Sequence, residues 1–384
     1  MSAPLRIGFI PLVDAAALIV AVDKGFTAAE GLEVTLIREV SWSNVRDKLN
    51  IGLFDAAHLL APVAIASSLG IGHVKVPISA PFNLGVNGNA ITVTPALHAD
   101  LMAHLDGDRF DPMATALALA RVVAKRRKKG AEPLTFGMTF PFSTHNYQLR
   151  FWMAAGGVDP DEDVRLVVLP PPYMVDSIKS GHVDGFCVGA PWNSIAVDLG
   201  IGYILHFVSD ILVRAVEKVL ALRQSWAEKN PDTVAALIRA CSRAADFIEH
   251  NHAEAAHILS QPERIGVGAD VVQRTLDGRL KIAPDGVLRE HARYLLVGRE
   301  GAGRPDPVQA AWLYAQMVRW GQTPLSPDAL KTAMAVFRPD IYDHALGAPA
   351  AAEAAPIGAF AGPPFAADDV PGHLKAFKIG RWTA

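Results

Sequence analysis

Cysteine is scarce in this 384-residue chain, which has only Cys187 and Cys241. Two cysteines cannot build the multi-bridge framework of small secreted domains. Each sits in an apolar run (GFCVG, IRACSRA) that reads as a buried thiol, with a single bridge left open. A dominant charge is lacking too: the net charge is −3, so no global basic field recruits nucleic acid and no direct nucleic-acid contact is expected. No run of about 18 uncharged apolar residues occurs, which excludes an ordinary membrane-spanning helix, and no membrane contact is expected. The 13 histidines are scattered without the short ligand spacing and cysteine partners of a zinc site, so neither a metal nor another cofactor is expected. The first residues lack the basic start, apolar stretch and cleavage site of an export signal. Leu5-Arg6-Ile7-Gly8-Phe9-Ile10 reads directly as a strand, and the expectation is a cytoplasmic protein.

The chain does have a hydrophobic fraction of 51%, enough for a packed fold over a length that suits two linked cores. Short apolar runs alternate with helical patterns in the first half, the signature of β/α units and a mainly parallel sheet. Strands are expected at Arg6–Pro11, Glu33–Glu39, Ala56–Leu60, Val74–Ala80 and Ala90–Thr94. A helix over Asp14–Lys24 takes Asp14 as its N-cap and Gly25 as its stop. A second series begins at Leu134–Met138, with a helix over Thr144–Ala155 and strands at Val164–Leu169, Gly185–Gly189 and Gly202–Phe207; Lys218–Arg223 then reads as a further strand. Helices dominate after residue 224, and Gly347–Ala366, rich in Ala, Pro and Gly, reads as a loosely structured surface arm. The domain reading is residues 1–94 as the first part of lobe I, 95–216 as lobe II, 217–346 as a return to lobe I with C-terminal helices, and 347–384 as an arm. Ligands of such open sheets bind beyond the carboxyl ends of the strands, which here face each other across a cleft.

Several segments carry a resemblance: IPLVDAAALIVAVDKGF (10–26), SWSNVRDKL (41–49), DAAHLLAP (55–62), TFPFSTHNYQLRFWMAAGGVDP (139–160), VDGFCVGAPWN (183–193) and EKVLALRQSWAEKNP (217–231). In this order they resemble the nitrate- and bicarbonate-binding proteins of bacterial ABC uptake systems. The resemblance implies an α/β, two-lobed periplasmic-binding-protein type II fold with an interlobe ligand cleft. Uptake proteins carry an export signal and a lipid-attachment cysteine. Their absence here is similar instead to the cytosolic NasS-type sensors, in which an RNA-binding antiterminator partner is released when nitrate or nitrite binds.

A site for a small planar anion needs donors on several sides, a cation and no opposing carboxylate. Three or four charge-assisted hydrogen bonds, at about 1.5–3 kcal/mol each, support roughly micromolar affinity after ordering costs. Trp42, in Ser41-Trp42-Ser43-Asn44 at a strand-to-helix junction, can donate from its indole and cover one face; as a bare residue it reads first as core, and the resemblance is what turns the reading to the site. Asn89, in Asn87-Gly88-Asn89, can donate from its amide, though Asn-Gly-Asn is also turn chemistry. His145 starts a helix just after Thr144, where free N–H groups point outward. Lys218 supplies the cation; the alternative is a solvated lysine paired with Glu217. The bicarbonate-binding branch typically has an acidic residue at this place, so lysine favours nitrate. The uptake family often has an acidic residue where Ala190 stands, and Pro191 and Trp192 are supporting candidates, as are Ser41 and Thr144 beside the ligand residues.

Three functions compete. The first is a non-enzymatic nitrate or nitrite sensor controlling a regulatory partner. The second is the substrate-binding component of an anion transporter. The third is an enzyme of the thiamine-pyrimidine-synthase type on the same fold, for which the chain shows no nucleophile–base pairing and no cysteine-rich motif.

Overall fold

The described residues build a six-stranded and a five-stranded β-sheet, with a separate two-stranded hairpin, and the chain passes between the two larger sheets twice. A computed structural model describes residues 4–347 and 356–383. The first sheet opens as the parallel series expected of β/α units: β1 (Leu5–Phe9) lies between β2 (Val34–Arg38) and β3 (Ala56–Leu60). β4 (Ile78–Asn87) joins this sheet, and Gly88 alone separates it from β5 (Asn89–Val93), which belongs to the second. There β6 (Thr135–Met138), β7 (Arg165–Val168), β8 (Gly185–Gly189) and β9 (Tyr203–Phe207) complete the order β7-β6-β8-β5-β9. β10 (Val216–Arg223) returns to the first sheet and inserts antiparallel between β3 and β4. After a hairpin of β11 (Arg279–Lys281) and β12 (Leu288–Glu290), β13 (Leu295–Leu296) caps the edge beside β4.

The first crossover therefore falls at Gly88 and not at residue 94, so the Ala90–Thr94 segment read into the first lobe pairs with β8 and β9 of the second sheet. An apolar run carries no mark of the sheet it will join; the turn before it decides. Asn87 (φ 63°) and Gly88 (φ 87°) both take the left-handed conformation that redirects the chain, which Asn and Gly tolerate best. The Asn87 side chain also ties the two crossovers together. It donates to the carbonyls of Val213 and Arg293 and accepts from the amide of Ala215.

Local signals set the starts of two helices, one following a strand of each sheet. The helix Trp42–Asn50 is capped by Ser41, which accepts from Asn44 N–H, and the helix Thr144–Ala155 by Ser143, which accepts from Asn146 N–H. Asp14 is not the N-cap expected of it. It lies in a 3-10 turn, Val13–Ala15, and the following helix, Ala16–Asp23, has no side-chain cap. Among the described residues, no helix is long and apolar enough to cross a membrane. Both cysteines are free and buried.

Residues 348–355 of the expected loose arm lie outside the described residues. The described part of the arm is anchored at a few points: Val370 and Leu374 are buried, and Phe360 and Phe377 meet the Phe151 ring edge-on at 5.8 and 5.6 Å. Ala- and Pro-rich composition hid these aromatic anchors. Ala359 bridges Leu212, strapping the arm onto the second crossover. His373, only 5% exposed, sits between the rings of Phe365 and Phe377. Burial, and then the Arg319 guanidinium, push its pKa down to about 4. The unfolded chain therefore takes the proton first: the stability is whole above about pH 6.5 and is lost as pH falls towards 4, by at most about 3 kcal/mol. His373→Leu is expected to flatten this loss in urea melts between pH 7 and 4. Equal acid sensitivity in both proteins would exclude His373 as its source.

Candidate functional site

Polar side chains from both sheets meet in one buried cluster around β10. Its pairing with β4 runs from Val216 opposite Val86 to Lys218 opposite Gly85, leaving Glu217 as an extra residue. Neighbours in a regular strand point to opposite faces, whereas a bulge of this kind lets both Glu217 and Lys218 reach the same place. Lys218 is fully buried. Its ammonium lies 2.9 Å from Asp14 Oδ2, 3.2 Å from Glu217 Oε1 and 5.4 Å from the centre of the Trp42 ring.

The alternative of a solvated lysine falls away, since Lys218 is fully buried. One expectation is corrected: the cation is not free of carboxylates but bridges two of them. The physical reason is that a lone buried ammonium is far costlier than a paired one. Burial alone would lower the Lys218 pKa, but Asp14 and Glu217 outweigh it and hold the pKa above its ordinary value. Burial likewise works to raise the Asp14 pKa, yet the charge of Lys218 and the hydrogen bond from His58 bring it below the usual carboxylate range. A Cβ on Gly85 would come within 2.7 Å of the Asp14 Cβ, so the strand must carry glycine there for Asp14 to fit.

The two histidines differ in how they are held. The Ile10 N–H donates to His58 Nδ1 at 3.4 Å, so the ring proton sits on Nε2 and is donated to Asp14 Oδ1 at 2.9 Å. Burial lowers the His58 pKa, and the ring is neutral. His145 Nδ1 lies 3.0 Å from Thr139 Oγ1 and 3.3 Å from Glu217 Oε1. Burial, then Lys218, push the His145 pKa well down, so this ring is neutral too. Glu217 is raised to about 6 because burial outweighs the attraction of Lys218.

Asn89 Nδ2 donates to Glu217 Oε2 at 2.5 Å and to Gln148 Oε1 at 3.2 Å; the same Gln148 oxygen accepts from Cys187 Sγ at 3.7 Å. The amide expected to donate to a ligand is thus spent inside the protein, and Asn89 orients Glu217 and Gln148. Among the described residues, the atoms of the cluster left without a protein partner are Trp42 Nε1, Gln148 Nε2, His145 Nε2 and Asn89 Oδ1. An unpaired buried polar group costs about 1–3 kcal/mol. Several in one closed cluster that also holds a cation and two helix N-termini make a setting for a small anion. An ionised Glu217 about 4 Å from such an anion would oppose it by roughly 4 kcal/mol at an effective dielectric near 20.

The structure brings Trp42, Asn89, His145 and Lys218 into this one cluster. Trp42 follows a strand of the first sheet and His145 a strand of the second, so the cluster spans the seam. Of the supporting candidates, Ser41 caps the Trp42 helix and Thr144 makes a long 3.5 Å contact to the Val216 carbonyl. Pro191 and Trp192 make no hydrogen bond to the cluster; Trp192 packs, partly buried, against the small apolar cluster that includes Met174 and Phe186. The backbone beside them matters more, since the Ala190 carbonyl accepts from Val13 N–H and its N–H donates to the Gly88 carbonyl. Sequence reasoning missed Asp14, His58, Gln148 and Glu217. Two had a signal: His58 interrupts the apolar strand AAHLL, and Gln148 stands three residues after His145 on the same helical face. Among the described residues, no group of three or more His, Cys, Asp and Glu side chains forms a metal-holding cluster.

The NMT1-like family profile matches residues 2–260. The chain belongs to the NMT1-like family. Within it, the chain is homologous to binding proteins of ABC uptake systems. It is 33% identical to the nitrate/nitrite binding protein NrtA of Nostoc sp. strain PCC 7120, over 91% of this chain and 78% of that protein. It is 32% identical to the nitrate import ATP-binding protein NrtC of Synechocystis sp. strain PCC 6803, over 98% of this chain but only 55% of that relative's length. The crystal structure of the periplasmic nitrate-binding protein NrtA from Synechocystis PCC 6803 superposes with a TM-score of 0.89 at 28% identity, covering 98% of both chains. The α/β fold expected from the resemblance, that of the periplasmic binding proteins, is the one this NMT1-like chain adopts.

Proposed function

We propose that this chain holds nitrate or nitrite between its two lobes and acts by binding, without chemistry of its own. One observation carries the reading: Trp42 Nε1 and Gln148 Nε2, both buried donors, have no protein partner beside the buried Lys218 ammonium. A small planar monovalent oxyanion accepts from several directions and can use both donors and the cation. Trp42 is 1% exposed and Gln148 and Lys218 are 0% exposed, which suits a ligand small enough to be enclosed and requires the lobes to part for exchange. Relatives named for nitrate support the choice of anion.

The finer reading is a cytoplasmic sensor whose ligand releases an antiterminator-type regulatory partner; it draws on the likeness to NasS-type sensors. The alternative, a substrate-binding component of an anion transporter, draws on the NrtA and NrtC relatives. Calorimetry with nitrate, nitrite, bicarbonate and sulfate side by side tests the ligand. Nitrate at a thousand times its Kd is expected to raise unfolding free energy by about 4 kcal/mol. Binding of bicarbonate or sulfate with no response to nitrate or nitrite would overturn the assignment. Affinity capture with and without nitrate tests the sensor. If nitrate weakens partner binding tenfold, the partner must weaken nitrate binding tenfold, about 1.4 kcal/mol of coupling. A partner that leaves nitrate affinity unchanged would favour the transporter reading.

A further inference from the structure

This inference rests on the anion reading and concerns what else the site takes up. His145 Nδ1 faces Thr139 Oγ1 at 3.0 Å and the Glu217 carboxylate at 3.3 Å. An ionised carboxylate at that distance holds the ring hydrogen on Nδ1, which leaves Nε2 as a lone pair. Nε2 is fully buried and has no protein partner. A lone pair repels an anion, so in this state His145 offers the wrong group to the ligand.

We propose that the anion binds together with one proton, taken from solvent and held by the Glu217–His145 pair. The proton can rest on either member with the same stoichiometry. On Glu217, its hydroxyl donates to His145 Nδ1 and the ring hydrogen moves to Nε2. On the ring, both nitrogens carry hydrogen and Glu217 stays ionised against Nδ1. In both cases Nε2–H becomes a donor, and the incoming negative charge is matched by a positive one. No other bond is made or broken.

The neighbouring titratable groups leave this task to the pair. Lys218 and Asp14 are fixed in their charged forms by their 2.9 Å contact. His58 is locked as the Nε2–H tautomer between Ile10 and Asp14. Cys187, which burial and then Glu217 push well up, and Tyr294, raised by burial, stay neutral. Glu217, raised to about 6, lies within easy reach of protonation. The linkage has a definite sign: below about pH 6 the free site already carries the proton and affinity is flat, and above it affinity falls about tenfold per pH unit.

The test is nitrate calorimetry at pH 7.5 in two amine buffers of unlike ionisation enthalpy, repeated from pH 5 to 8.5. The wild-type protein is expected to take up close to one proton per nitrate at pH 7.5. Folded Glu217→Gln is expected to take up close to none and to lose the pH dependence. Should that variant not fold, the wild-type buffer comparison still decides. Nitrate binding with a buffer-independent heat and a flat pH profile would overturn this inference and leave the anion reading standing. No nitrate binding at any pH would overturn both. Proton uptake retained in folded Glu217→Gln and in folded His145→Gln would remove the pair as its seat.

Discussion

Lys218→Met is expected to abolish nitrate binding within the measurable range and to destabilise the ligand-free protein at the same time. The ammonium stands between Asp14 at 2.9 Å and Glu217 at 3.2 Å, all three side chains at most 3% exposed. Removing one partner of a buried ion pair leaves an uncompensated charge and costs about 3–5 kcal/mol. For the ligand, loss of the Lys218 ammonium removes a charge-assisted bond and leaves the anion facing Asp14 and Glu217. A loss of at least about 100-fold in affinity, or 2.7 kcal/mol, is expected. Stability and binding separate in the double variant Lys218→Met/Asp14→Asn, which no longer strands the Asp14 charge. It is expected to recover part of the stability and none of the affinity, by urea melts and calorimetry respectively. Wild-type nitrate affinity in a folded Lys218→Met protein would remove Lys218 from the site.

Trp42→Phe and Gln148→Met are expected to weaken nitrate binding about 10- to 100-fold each, one lost hydrogen bond to a charged group being worth about 1.5–3 kcal/mol. Their effect on the free protein should be opposite in kind to that of Lys218→Met. Trp42 Nε1 and Gln148 Nε2 have no partner within the protein, so removing them breaks nothing and discards a buried polar group. Gln148→Met does give up the oxygen that accepts from Asn89 and Cys187, so its stability gain should be the smaller. A core role alone predicts the reverse for Trp42, a packing loss with unchanged affinity. Chemical melts without ligand, followed by nitrate titrations of the same samples, discriminate the two. Affinities equal to wild type in both variants would end the role of these donors.

Much of the frame is written locally. Ala56–Leu60, Thr144–Ala155 and Gly185–Gly189 run as their apolar periods and flanking residues dictate. The placement of Trp42 and His145 at helix starts follows from the serines before them, because a cap bonds within three residues of itself. The electrostatics of the site were not legible in that way. Asp14 read as a helix cap, since an Asp before an apolar helical run is ordinarily one. Glu217 did not read as part of the site beside Lys218, because adjacent residues of a strand ordinarily point to opposite faces.

The sequence by itself determined two β/α series, their junctions, and the residue types a small anion would need at those junctions. Only the tertiary structure decided which charges face one another. The bulge in β10 turned Glu217 and Lys218 to one side, and the crossover at Gly88 carried Asn89 over to the second sheet. Insertion of β10 between β3 and β4 set Lys218 against Asp14 and left His145 across the seam from Glu217. Caps and periods are short-range and repeat along the chain, so they can be read from neighbours. A buried ion pair depends on strand order and register between segments far apart in sequence, and its energy exists only once the fold has excluded water from both charges.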